Sequence, residues 1–249
     1  MMNTDGFGKT ARKLPVTMTA IVAIAMGFFA CWLTIADGTL VRLLGLGAKA
    51  PDPWQFLTYF VAFIPSSSAF IGVIFSALWL YMIGQTLEPS VGTRRYALVM
   101  LGMILLGSVM YWLGCTVADY PGFLAGSYLP VAYLSVLWAA LNPNSPVRFM
   151  FFIPLTAKIL ALIVGGMVLF GYGSESPLVG VITVLPMIAL WFGADMVLGN
   201  RKVSGKSAAE RRQEQREFNQ FIDKVRDREK EREERERLRK LFEDSLDDK

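Results

Sequence analysis

Apolar residues in this chain come in long blocks rather than in helical or strand alternation. Polar, charged or proline-containing breaks separate them. The blocks cover residues 16–36, 69–87, 97–115, 123–141, 152–170 and 178–199. About twenty apolar residues at 1.5 Å each match the roughly 30 Å hydrocarbon core of a bilayer. Backbone N–H and C=O groups facing lipid have to be satisfied within their own segment, so each block is predicted to be a helix. The pattern therefore predicts an all-α integral membrane protein with six spans. The first block follows Lys9, Arg12 and Lys13, as a secretory leader would, but it is too long for a leader's apolar region and no A-x-A site follows it, so it reads as a retained span.

Residues 40–66 do not fit a simple span. Pro51, Pro53 and Pro65 interrupt them, and Trp54 and Tyr59 suit a membrane interface. A loop partly embedded in the outer leaflet is expected there.

Charge sets the orientation. Lys9, Arg12 and Lys13 precede the first block, Arg94 and Arg95 join the second to the third, Arg148 joins the fourth to the fifth, and Arg201, Lys202 and Lys206 follow the sixth. The alternate connections carry Arg42, Lys49 and Asp52, then Asp119, then Glu175. Basic residues favour the cytosolic side, so both termini are expected in the cytosol. The organisation that follows is a cytosolic segment 1–15, a membrane domain 16–199 and a tail 200–249. The lack of a transit-like presequence favours a bacterial inner membrane as the location.

Nine of the 25 Lys/Arg and seven of the 21 Asp/Glu lie before position 200, and the rest crowd into the tail. The tail is thus densely charged but nearly balanced, and the overall pI of 9.1 does not point to nucleic acid. Phe218, Phe221, Ile222 and Val225 form one helical stripe, and Leu238, Leu241, Phe242 and Leu246 form another. Between them Glu231–Arg235, Glu233–Arg237 and Glu236–Lys240 are favourable i, i+4 pairs. A charged cytosolic helix with coiled-coil character is expected, either simply solvated or docking on a soluble partner or the membrane surface. A mean hydropathy of +0.41 agrees with a multi-spanning protein. Cys31 and Cys115 have neither metal spacing nor a CxxC motif; they read as two buried thiols, with a disulfide as the alternative. Nothing in the sequence asks for a cofactor or a metal.

The stretch 53–95, PWQFLTYFVAFIPSSSAFIGVIFSALWLYMIGQTLEPSVGTRR, begins at Trp54, continues as an apolar helix and stops at Glu88, Gly92, Arg94 and Arg95. It resembles the second transmembrane helix of the rhomboid family of intramembrane serine proteases. Asn142-Pro143-Asn144-Ser145-Pro146-Val147 resembles the family's link after the fourth helix, and Phe152-Ile153-Pro154 with Ala157-Lys158 resembles the start of its fifth. Phe221-Ile222-Asp223-Lys224-Val225 is similar to a box found after the last helix of some bacterial members. The resemblance implies a six-helix rhomboid-like bundle.

It also implies where catalytic groups would stand, and there the sequence departs from the family. The nucleophile turn, Gly-x-Ser-Gly, falls on Gly126-Ser127-Tyr128-Leu129, so Tyr128 occupies the serine position. The histidine of the sixth helix falls near Trp191, and the chain contains no histidine at all. The histidine and asparagine of the second helix fall on Gly72 and Ser76. A serine without a base is a poor nucleophile, and loss of one triad member alone lowers rate by about 10⁴. The expectation is a rhomboid-like pseudoprotease that binds transmembrane segments of client proteins without cleaving them, as derlins and inactive rhomboids resemble it in doing.

Two alternatives stay open: a protease with an unconventional site using Ser127 or the Ser66–Ser68 cluster, and a structural subunit of a larger membrane complex. Lys158 could serve as a base but is expected to snorkel to the inner interface. Asp195 is expected to pair with Lys158 or Arg201, with a proton or ion role as the alternative. Trp79 and Tyr81 are candidate client contacts.

Overall fold

The computed structural model describes residues 14–149, 153–174, 176–198 and 226. The chain divides into two units, one of Met1–Pro143 with Ala157–Gly205 and one of Asn144–Thr156 with Lys206–Lys249. The first unit is helical. Its long elements are α1 (Pro15–Leu33), α4 (Ser67–Val91), α5 (Thr93–Val117), α6 (Tyr128–Leu141), α7 (Ala157–Gly173) and α8 (Pro177–Leu198). Four of these, α1, α4, α5 and α8, are long and apolar enough to cross a membrane, with window hydropathies between 1.7 and 2.1. This is a membrane protein.

Helix α6 is the axis of the unit. It packs on α4, α5, α7 and α8, and every residue from Leu129 to Ala139 is buried. A helix apolar on all sides has to be enclosed in this way. Its 14 residues reach only about 21 Å. The block 123–141 is thus not one continuous helix: residues 118–127 are irregular. Gly126 adopts φ +105°, open to glycine at little cost, and turns the chain into α6.

That irregular stretch is satisfied by the segment after α1. There α2 (Thr39–Leu44), β1 (Leu46–Gly47), α3 (Gln55–Thr58) and a 3₁₀ turn (Tyr59–Val61) replace the expected plain loop. Strand β1 pairs antiparallel with β2 (Phe123–Leu124), and Ala48 N–H donates to the Gly122 carbonyl. Gly126 N–H donates to the Tyr59 carbonyl at 2.9 Å. Non-helical backbone among apolar helices survives only when buried and bonded like this. The last carbonyls of α2 are met from α3: Gln55 Nε2 donates to Arg42, Trp54 Nε1 to Leu43 and Thr58 Oγ1 to Leu44. The whole segment is anchored on α5 by Tyr59, whose buried hydroxyl donates to the Ile104 carbonyl at 2.8 Å. Burial pushes this phenol well above its ordinary pKa, so it stays a donor.

Helix starts and stops have local causes. Ser66 Oγ accepts from Ala69 N–H and caps α4. Helix α4 runs through Pro89 and ends at Gly92, which adopts φ +91°. Helix α5 ends with Asp119 at φ 48° and Tyr120 N–H donating back to the Cys115 carbonyl, a left-handed cap of Schellman type. Within α8, Pro186 cannot donate to the Ile182 carbonyl; the neighbouring Thr183 carbonyl is met by Tyr133 Oη of α6 at 2.6 Å.

In the second unit β3 (Pro146–Phe149) pairs antiparallel with β4 (Ile153–Thr156) in the register Pro146↔Thr156. The block 152–170 is corrected accordingly: Ile153–Thr156 are strand, and α7 starts only at Ala157. The tail stripes, the tail ion pairs and the basic N-terminal segment lie outside the described residues. Cys31 and Cys115 are both buried and are not joined in a disulfide.

Candidate functional site

The turn before α6 holds Gly126 and Ser127, which the sequence resemblance led us to expect in a nucleophile turn. Gly126 sits against the Phe63 ring, close to the Ala62 carbonyl. Ser127 follows as the N-cap residue of α6 but makes no side-chain cap bond. It is fully buried, and its Oγ has no hydrogen-bond partner. Tyr128, one residue on, points the other way and is 41% exposed. The two side chains cannot act at one point, since successive residues of a helix diverge by about 100°.

Among the described residues no base is hydrogen-bonded to Ser127 Oγ. Lys158 is exposed in the first turn of α7, and its N–H donates to the Pro143 carbonyl, just beyond the far end of α6 from Ser127. The length of α6 thus separates the two, about 21 Å. A Ser127–Lys158 dyad is excluded. Ser66, the other serine candidate, is committed as the α4 cap, and its Oγ also lies 3.0 Å from Ser68 Oγ.

The remaining candidates are dispersed. Gly72 is exposed with open space beside it, while Ser76 and Trp191 are half-buried. Trp79 Nε1 donates to Ser135 Oγ at 2.7 Å, tying α4 to α6. Trp54 holds the α2 carbonyl of Leu43, as described. Arg94 and Arg95 are exposed in the first turn of α5. Asp195 lies on α8, but its side chain is outside the described residues. Among the described residues no group of three or more His, Cys, Asp or Glu side chains is placed to hold a metal.

Glu88 is the site residue whose role the structure enlarges. The sequence marks it as the acidic stop of a span, yet it lies inside α4 and is 1% exposed. Its carboxylate receives the start of α1: Val16 N–H at Oε1, Thr17 N–H and Thr17 Oγ1 at Oε2, at 3.0, 3.0 and 2.7 Å. The first N–H groups of a helix lack internal acceptors and carry positive partial charge, so a carboxylate from another helix suits them. One turn earlier on the same face of α4, Gly84 gives Thr17 its space, because any Cβ there would collide with the Thr17 side chain. Tyr96 of α5 closes the cluster, its buried hydroxyl lying beside the Thr17 side chain and Glu88. This is a structural latch between α1 and α4, and it offers no open space to a substrate. Comparison with models of known protein families and with curated proteins yields no match to this chain.

Proposed function

We propose that this chain is a rhomboid-like pseudoprotease: a six-span membrane protein, both termini cytosolic, that holds transmembrane segments of client proteins without cleaving them. The observation that carries the reading is the packing of α4. This helix packs on α1 and α6 and more briefly on α5, whereas α7 packs on α6 and α8. Among the described residues α4 and α7 share no packed face. Between them the enclosed α6 begins at a buried serine with no base. Along α4, Phe70, Ile71, Ile74, Phe75 and Leu78 are exposed, and Gly72 leaves room for a close helix. A helix of another protein could lie there through van der Waals packing, with small residues allowing close approach. The bacterial inner membrane and a soluble partner at the tail belong to the same proposal.

The test is photocrosslinking in cells from Phe75 and Leu78, with Leu162 on the outer face of α7 as the comparison site. Discrete, full-length membrane partners captured from α4 alone support the reading. Partners cut within their spanning segments, or equal capture from all three sites, overturn it.

A further inference from the structure

An open groove of about 410 Å³ lies where α1 ends and the 38–66 segment begins. Its walls are Ile35, Val41, Ile64, Pro65 and Phe123, and its one charged lining residue is Arg42. Ile35 and Ile64 are more than half exposed, so the apolar wall is open to the outside. Arg42 is exposed as well, and its guanidinium is free of the α2–α3 bonding, which uses only the Arg42 carbonyl. No acidic side chain lines the groove.

We infer that this groove binds a single anionic phospholipid, with the phosphate at Arg42 and the start of an acyl chain along Ile35, Ile64 and Phe123. Three features select that occupant. The groove is divided into a cationic end and an apolar end, as a lipid is divided into headgroup and chain. It lies at the terminus of a helix long enough to cross a bilayer, so headgroup and chain are at hand there. A guanidinium offers paired donors to phosphate oxygens, and with no acidic residue lining the groove its charge is matched by a net-anionic headgroup but not by a zwitterionic one, whose ammonium cancels the phosphate. The inference rests on the membrane reading of the fold and not on the client-binding reading, so it stands or falls separately from the crosslinking result.

Native mass spectrometry of the full chain in mild detergent tests it, titrating phosphatidylglycerol against phosphatidylcholine of the same chains. One favourable arginine contact gives about a fivefold preference for the anionic lipid. Arg42→Gln is expected to remove that preference, and Lys49→Gln, an exposed cation outside the groove, to keep it. Ile64→Asp, which places an acid on the apolar wall, should weaken both lipids. The proposal is overturned if the two lipids bind alike, if the preference survives Arg42→Gln, or if Lys49→Gln removes it equally. Displacement of bound phosphatidylglycerol by inorganic phosphate at equal concentration would overturn the acyl-chain half, since phosphate brings no chain.

Discussion

Glu88 holds Thr17 twice, by its backbone N–H at 3.0 Å and by its hydroxyl at 2.7 Å, across 71 residues of sequence. Pro15 stands at the first helical position of α1 and has no N–H to place, so Val16 and Thr17 carry the first donors needing an acceptor. The carboxylate takes both and satisfies the threonine hydroxyl besides.

Removing it leaves three donors unmet in a buried place. Glu88→Ala is expected to destabilise the protein by about 2–4 kcal/mol, and Thr17→Val, which keeps the backbone bond, by about 1 kcal/mol. Unfolding in mixed micelles would measure both. The double variant should lose less than the sum, because the same bond is deleted twice; simple additivity would show that the latch contributes nothing as a pair.

The glycines of α4 separate a packing role from an empty one. Gly84→Ala pushes a methyl group into Thr17 and is expected to cost about 1–3 kcal/mol. Gly72→Ala meets nothing within 4 Å and should gain up to about 1 kcal/mol from helix propensity. Thermal melting of the two variants in one detergent is sufficient, and equal shifts would refute the assignment.

Ser127 supplies a test of the proposed loss of protease chemistry. A fluorophosphonate probe is expected to leave the protein unlabelled. Ser127→Ala removes a buried hydroxyl that has no partner, so it should raise stability by about 1 kcal/mol rather than lower it. A labelled Ser127, or a destabilised alanine variant, would mean that the hydroxyl is engaged.

Tyr133 and Pro186 should prove coupled. Tyr133→Phe removes the donor to the Thr183 carbonyl and is expected to cost about 1 kcal/mol. In a Pro186→Ala background, where residue 186 regains an N–H for the adjacent Ile182 carbonyl, the loss should shrink. An undiminished loss would separate the tyrosine from the proline.

The apolar blocks made α1, α4, α5 and α8 legible within a few residues, because bilayer-length runs have few other uses. The blocks starting at 123 and 152 misled for a common reason. Phe123-Leu124 and Ile153 are as apolar as the helices that follow, and run length alone cannot tell a strand from a first turn. The shift of Ser127 away from Tyr128 was readable from the turn sequence. The three side chains that meet the end of α2 were not, since Trp54, Gln55 and Thr58 are ordinary loop residues until a helix end lies 11 to 14 residues before them. Glu88 was visible as a feature, but its partner is a backbone amide some seventy residues earlier, and amides leave no mark in a sequence.

The latch between α1 and α4 also has a timetable. Translation at about 5–20 residues per second needs some 4–14 seconds to go from Thr17 to Glu88. Thr17 leaves the ribosome ahead of Glu88 by that interval, so the leading amides of α1 wait for the carboxylate that will receive them. The first helix is therefore a waiting element during synthesis, and the growing bundle becomes closed at that end only when the second long helix is nearly complete.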